Sequence, residues 1–404
     1  MKIKNHTHSR REFLIKGMTG LTGVALLPSL CQGIDAAKEE KKKFIYRTLG
    51  RTGLRVPVIS LGGSGPDVTR AALDAGIVHL DTANRYGAGR HEAMIGELLK
   101  GRPRESFIIV TKIIPNLDNR TGLPSDKITP AEFKKDFRKK MEQSLKRLQV
   151  DYVDILYLHG VETLVTLKDP LIKETMLELK EEGKARFLGT SFHHNELPLI
   201  RGTADEKIYD VVLTSFNFRQ PHREEVKKAL AYAANAGLGT VAMKVMAGAY
   251  WDKERRHPIN ARAALKWILQ DTNLHTTIPS ADTFEQLEMN LSVMENLTLT
   301  SLEQEDLRFG EKQRLTGLYC AQCGRCRRQC RFHLDIPTAM RSYMYAYGYQ
   351  KPAQAWEVLA EKNRQDITCR SCSTCNVSCT MGFDVPSKLQ NINRILDVPH
   401  EFLA

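Results

Sequence analysis

The sequence predicts an α/β fold in two parts: a closed barrel of eight parallel strands wrapped by helices, then a smaller, mostly helical, cysteine-rich domain. Three observations carry this. Short apolar runs alternate with helical patterns from about residue 46 to 300, which argues for a parallel sheet covered by helices. Eight such units in about 250 residues match the usual size of an eight-stranded barrel. Finally, of nine cysteines, eight fall between Cys320 and Cys379 and none between Cys31 and Cys320.

The strands are expected at Val56–Leu61, Ile77–Asp81, Phe107–Lys112, Val153–His159, Arg186–Ser191, Val211–Phe216, Gly239–Lys244 and Thr276–Pro279. The clearest helix opens at Thr129-Pro130-Ala131-Glu132, a cap, a first-turn proline and an acid at the third position. Its apolar face is Phe133, Phe137, Met141, Leu145 and Leu148. An open doubly wound sheet is the competing fold. It would need a Gly-rich phosphate turn after the first strand, and Leu61-Gly62-Gly63-Ser64-Gly65 lacks the rest of that spacing. The barrel, a (β/α)8 TIM barrel, is therefore placed at 46–305, and the second domain at 306–404.

A 404-residue chain with 42% hydrophobic content can bury more than one core. Its net charge of +12 raises the question of nucleic acid. Residues 1–33 hold five Lys/Arg against one Glu, and the remaining excess is spread rather than striped. Runs such as Lys41-Lys42-Lys43 read as solvated faces or linker, and no helix-turn-helix, finger or RNA-reading motif is present. No nucleic-acid partner is expected.

Ser9-Arg10-Arg11-Glu12-Phe13-Leu14-Ile15-Lys16, followed by the weakly apolar Gly17–Leu30, resembles a bacterial twin-arginine signal. The apolar run is too short and Gly-rich for a stable transmembrane span. Residues 1–33 are thus expected to be a signal peptide read by the twin-arginine export machinery, 34–45 a charged linker, and the mature protein periplasmic. Cys31 follows the bulky Leu30, which speaks against a lipid anchor.

The eight clustered cysteines form two equal runs. Cys320-x2-Cys323-x2-Cys326-x3-Cys330 is repeated as Cys369-x2-Cys372-x2-Cys375-x3-Cys379. Paired C-x-x-C also makes zinc sites, but zinc modules rarely need a third Cys at x2 and a fourth at x3. The runs resemble those of bacterial ferredoxins holding two 4Fe-4S clusters. That resemblance implies Cys320, Cys323, Cys326 and Cys379 on one cubane, and Cys369, Cys372, Cys375 and Cys330 on the other. The helix-like residues between the runs suit the helical ferredoxin-like kind. One departure is that Pro337 and Pro386 stand seven residues after each last Cys, instead of directly after it. Tyr343, Tyr345, Tyr347 and Tyr349 are expected to pack between helices, with a partner surface or an aromatic route near a cluster as the alternative. Clusters assembled in a reducing cytoplasm must be exported inside folded protein, which is what the twin-arginine route carries.

Polar residues at the C-terminal ends of barrel strands read as catalytic. Asp81-Thr82-Ala83-Asn84-Arg85-Tyr86-Gly87, then Val110-Thr111-Lys112, then Tyr157-Leu158-His159 resemble the motifs of the aldo/keto reductase family, in that order and at compatible spacing. Leu49-Gly50-Arg51-Thr52-Gly53-Leu54 and Ala242-Met243-Lys244 add to the likeness, which runs through about 250 residues. Within the family it points to a subgroup with a twin-arginine signal and a C-terminal two-cluster domain. Carbonyl reduction needs an acid aimed at oxygen. The resemblance implies Tyr86 as that acid, Lys112 as the charge that lowers its pKa, Asp81 as the partner of Lys112, and His159 as the group that orients the carbonyl.

The nicotinamide contacts implied by the resemblance are Ser191, Phe216, Lys244, Pro279, Ser280, Gln286 and Asn290. Several depart from the family's pattern. Phe192 stands where the Asn that holds the nicotinamide amide is usual, Leu213 replaces a Gln, and Phe216 replaces a stacking Tyr. Gln286 sits where an Arg for a 2'-phosphate is common, and Met289 where Glu is usual. NAD and NADP are therefore equally open. The expected activity is an oxidoreductase interconverting a carbonyl and an alcohol of a small sugar-like or other polar compound, with two 4Fe-4S clusters passing electrons to or from a redox partner protein. Nicotinamide delivers two electrons as hydride and a cubane passes one, so joining them calls for an intermediary such as a flavin or for an unusual mechanism, and the sequence names neither. The alternative is an exported electron carrier or docking subunit with a degenerate barrel.

Overall fold

The structure is a computed structural model that describes residues 43–403 except 119, 120, 361, 363, 370, 371 and 373. The expected signal peptide and nearly all of the linker lie outside the described residues. No helix among the described residues is long and apolar enough to cross a membrane.

An antiparallel hairpin, β1 (Tyr46–Thr48) and β2 (Arg55–Pro57), opens the chain. Seven parallel strands follow in simple sequential order: β3 (His79–Asp81), β4 (Ile108–Ile113), β5 (Val153–His159), β6 (Ala185–Phe192), β7 (Val211–Ser215), β8 (Gly239–Met243) and β9 (Thr276–Thr277). Residues 58–61 close the ring between the two edge strands. Ile59 bridges Thr277 and Leu61 bridges Leu80, both in parallel, and Ser60 N donates to Thr277 O at 2.8 Å.

The expected first strand, Val56–Leu61, is thus divided. Its opening residues pair within the hairpin, and only 58–61 enter the barrel wall. The last strand is also shorter than expected, ending before Pro279, which has no N–H to give a ladder.

Strand alternation divides the side chains between two cores. Val110, Ile155, Tyr157, Val211, Leu213 and Val241 fill the barrel interior, together with Leu49 and Val56 of the hairpin region. Ile109, Leu156, Leu188 and Val212 face the surrounding helices. The hairpin plugs the N-terminal end of the barrel. Gly50 has φ of +50°, and a Cβ there would lie 2.3 Å from the backbone nitrogen of Gly239, so that turn admits only glycine. The helix Pro130–Leu148 starts with the Thr129/Glu132 capping box and buries Phe133, Phe137, Met141, Leu145 and Leu148.

In the second domain, helices Ile336–Tyr343, Pro352–Ala360 and Val385–Asn393 enclose a small core of Leu334, Ile336, Met340, Leu359, Val385, Leu389 and Ile392. The displaced prolines now have a reason. Asp335 caps one helix with Pro337 in its first turn, and Asp384 caps another with Pro386 in its first turn. Each cysteine run therefore feeds the same capped-helix unit, twice.

Candidate active site and cluster site

The parallel wall aims the strand ends at one mouth. Asp81 ends β3, Lys112 lies near the end of β4, and His159 ends β5. Lys112 Nζ donates to Asp81 Oδ1 and, at 2.8 Å, to the carbonyl of Thr82. Tyr86, in the turn after β3, hydrogen-bonds the same ammonium, which also lies 5.1 Å from its ring centroid. The ring of His159 meets Tyr86 edge-on, with centroids 6.2 Å apart. The four expected catalytic residues are therefore contiguous.

Burial sets the protonation states. Lys112 is fully buried, which alone would lower its pKa, yet Asp81 and Tyr86 hold it above the ordinary ammonium value. Burial pushes the Asp81 carboxyl up against the pull of Lys112. The sequence expectation that Lys112 lowers the Tyr86 pKa meets a larger opposing effect. Burial is the main cause of a net rise, Lys112 opposes it, and Asp81 and Tyr345 add to it. Resting Tyr86 is a neutral phenol, a loaded acid rather than a primed phenolate. His159 is held well below its ordinary value by burial and then by the charges of Lys112, Arg85, Arg341 and Lys244, so it is a neutral imidazole. Its Nδ1 is buried without a partner.

Of the groups just named, Lys244 is expected here as a nicotinamide contact, whereas Arg341 and Tyr345 come from the second domain and were not sought at this mouth. Lys244, after β8, donates to the Tyr345 hydroxyl and stands 4.6 Å over its ring. Tyr345 belongs to the second domain, in a wide π-helical turn over Met344–Gly348. Tyr349 accepts from Gly248 N at 3.0 Å, and Tyr319 accepts from Asn217 Nδ2 at 3.0 Å. Tyr345 and Tyr349 thus pack against the barrel mouth, instead of only between helices. Lys244, Ala247 and Ala249 all adopt positive φ (61°, 45° and 64°), strained backbone for residues other than glycine. Glu162, past the end of β5, pairs with Lys362 at 3.0 Å and Arg327 at 3.3 Å, while Lys362 also reaches Asp335 at 2.9 Å. The second domain is a roof over the catalytic end.

Cys320, Cys323, Cys326 and Cys379 line one hollow, with Pro337, Met340, Met381 and Val385. The fourth cysteine of the second run stands with the first three of the first run, the crossed set that ferredoxin-like runs imply. All eight thiols are free of disulfides. Burial raises Cys320 to about 12 and Cys326 to about 11, with neighbouring thiols adding to the rise. Bare thiolates are unfavourable there, and an iron-sulfur cluster that binds them as ligands fits the donor set. Among the described residues, no three His, Cys, Asp or Glu side chains converge as ligands of a metal ion. For the second set, Cys330 is buried in the small core and Cys369 lines a separate hollow with Arg364, Gln390 and Asn393. Cys372 is half-buried and Cys375 exposed, and residues 370, 371 and 373 beside them lie outside the described residues.

Comparison with known proteins agrees with this division. Residues 66–262 match the aldo/keto reductase family, and residues 319–384 match the 4Fe-4S dicluster domain. The chain carries an aldo/keto reductase domain and a 4Fe-4S dicluster domain. It is an oxidoreductase acting on carbonyl or alcohol groups. An L-galactose dehydrogenase of Arabidopsis thaliana is 25% identical over 308 residues, covering 66% of this chain and 92% of that protein. An L-glyceraldehyde 3-phosphate reductase of Escherichia coli is 26% identical over 319 residues, covering 64% of this chain and 90% of that one. The fold is that of an aldo-keto reductase from Bacillus halodurans in its holo form, with a TM-score of 0.52 at 24% identity over 66% of this chain and 96% of that one.

In the aldo/keto reductase domain the seven expected nicotinamide contacts fall into two groups. At the adenine end, Asn290 is buried with both amide atoms unpartnered, which suits a polar ligand. The Pro279 carbonyl accepts from Gly62 N at 3.0 Å, the Ser280 hydroxyl lies close to Gly62, and the Gln286 side chain folds back to accept from Asp282 N at 2.7 Å. At the nicotinamide end, Ser191 is buried on β6, and Phe216 is fully buried with its ring 5.5 Å from that of Trp267. Phe216 therefore has no open face for stacking, and Lys244 is taken by Tyr345. With the 4Fe-4S dicluster domain seated as it is, these residues do not fit an intact nicotinamide dinucleotide.

Proposed function

We propose that the protein reduces a small polar carbonyl compound to its alcohol, or runs the reverse, with electrons carried by two 4Fe-4S clusters and exchanged with a redox partner protein. The observation that carries this reading is the seating of the cysteine domain directly over Tyr86, Lys112, Asp81 and His159. Bound cubanes supply single electrons. Reduction of a carbonyl consumes two electrons and two protons; Tyr86 gives the proton that reaches oxygen, and the proton that carbon takes with the electron pair is drawn from solvent. Lys112 and Asp81 hold Tyr86 in place and stabilise the phenolate left behind. Neutral His159 donates to the same oxygen, and the roof keeps water from the developing charge.

Crossed ligation by Cys320, Cys323, Cys326 and Cys379, and by Cys369, Cys372, Cys375 and Cys330, is part of the proposal. So is export of the folded, cluster-loaded protein to a periplasm by the twin-arginine machinery, on the strength of Arg10-Arg11 and the apolar stretch behind them.

The test is anaerobic turnover of a carbonyl panel with reduced viologen, NADH and NADPH offered separately. Turnover with viologen that Tyr86→Phe abolishes supports the reading. A second reading, an electron carrier with an idle barrel, is favoured by the occupied Lys244 and the covered Phe216. It predicts fast cluster oxidation by protein acceptors with no carbonyl turnover under any donor.

A further inference from the structure

We propose that Arg341, reaching from the dicluster domain to the barrel mouth, binds an oxyanion carried by the substrate, so that this domain forms one wall of the substrate pocket. This rests on the reading of the mouth as a carbonyl site, and it narrows the substrate to carbonyl or alcohol compounds bearing a carboxylate or phosphate.

Arg341 lies in the last turn of the helix Ile336–Tyr343 and is half-buried. Both ends of that helix are pinned to the barrel. At its start Asp335 holds Lys362, which reaches Glu162, and just past its end Tyr345 seats on Lys244. Arg341 stands four residues before Tyr345, close to the helix face that Tyr345 turns toward Lys244 at the mouth, and its charge is felt at His159, His193 and His194.

A guanidinium offers five N–H donors and usually finds acceptors when it leaves water. Among the described residues, no carboxylate, carbonyl or hydroxyl hydrogen-bonds or ion-pairs with Arg341. The acids that could neutralise it are engaged elsewhere: Asp335 and Glu162 by Lys362, and Asp81 by Lys112. Lys244 and Lys112 add positive charge, and burial keeps the nearby histidines neutral. The Nδ1 atoms of His159 and His193 are both buried without a partner. His193, two residues past Ser191, thus joins a wall of unsatisfied polar atoms. A half-buried cation and two orphaned imidazoles beside a proton donor make a receptor for a bidentate oxyanion on a substrate whose reacting oxygen lies at Tyr86.

The test uses the anaerobic, cluster-loaded protein with reduced viologen as donor. Three aldehydes are compared: succinic semialdehyde, glyceraldehyde 3-phosphate and uncharged glyceraldehyde. Arg341→Gln is expected to lower the ratio of kcat/KM for a charged aldehyde to that for glyceraldehyde by about tenfold or more, mostly through KM. Arg341→Lys should restore part of it. Calorimetric titration of the wild type with malonate and with inorganic phosphate reads the site without turnover. The anion that binds, and that Arg341→Gln weakens by about tenfold, identifies the group. Equal binding by wild type and variant, or binding of neither anion to the wild type, overturns the proposal. Anion binding that depends on Arg341 in a protein that reduces no aldehyde would sink the carbonyl reading and leave the anion site standing.

Discussion

Lys112→Met separates a buried ion pair from a surface one. The side chains of Lys112 and Asp81 are 1% and 3% exposed, so solvent cannot take over when one partner is removed. Removing one member of such a pair leaves an uncompensated charge, at a cost of about 3–5 kcal/mol, against a total of roughly 5–15 kcal/mol for a whole domain. For a barrel of this size that corresponds to a fall in Tm of about 10 °C. Adding Asp81→Asn removes the stranded charge and should recover most of the loss. The assay is thermal unfolding of the anaerobic holoprotein followed by far-UV circular dichroism, in wild type, both single variants and the double variant. A fall of less than about 2 °C in Lys112→Met, or additive losses in the double variant, would show that the two groups are not a desolvated pair.

Three further outcomes follow from the same geometry. Tyr86→Phe removes the proton donor and should abolish carbonyl turnover while the cluster absorbance stays intact; retained turnover would remove Tyr86 from the chemistry. His79 is buried with Nδ1 2.7 Å from Ser60 Oγ, and burial lowers its pKa to about 4. Its folded-state value is depressed, so as pH falls below 6.5 the unfolded chain takes the proton first, and stability present above that pH is lost progressively toward 4. Between about pH 7.5 and 5.5 the loss is about 1 kcal/mol, and His79→Gln should shrink the acid shift in Tm by the corresponding ~3 °C. Glu162→Gln takes one partner from both Lys362 and Arg327, weakening the seating of the roof by about 1 kcal/mol; faster hydrogen exchange in Ile336–Tyr343 would report it, and unchanged exchange would exclude the clamp.

What the sequence made legible were features whose chemistry is local. The capping box at Thr129 and Glu132 marks its helix without help from the rest of the fold, and strand-end Asp81, Lys112 and His159 converge because parallel strands present their C-terminal ends together. The resemblance of the cysteine runs to those of two-cluster ferredoxins likewise implies that Cys379 joins the first run, and Cys379 lines the same hollow as Cys320, Cys323 and Cys326. Features made by contacts across the chain left no such trace. Lys244 and Tyr345 are 101 residues apart, and nothing in either segment announces the other. The division of Val56–Leu61 depends on a hairpin partner, Tyr46–Thr48, too short to show periodicity. The direction of the Tyr86 shift depends on burial under a roof that no local pattern encodes. The tyrosine run at 343–349 was visible, and its spacing at every second residue was the one signal that part of this segment faces something other than its own helix.

The most direct measurement is iron and acid-labile sulfide per chain in anaerobically prepared protein, with electron paramagnetic resonance after reduction, in wild type and Cys379→Ala. About eight iron and eight sulfide are expected in the wild type, and the loss of about half in the variant, since Cys379 lines the hollow formed by Cys320, Cys323 and Cys326. Zinc without sulfide in the wild type, or a full complement of iron held by Cys379→Ala, would contradict this expectation.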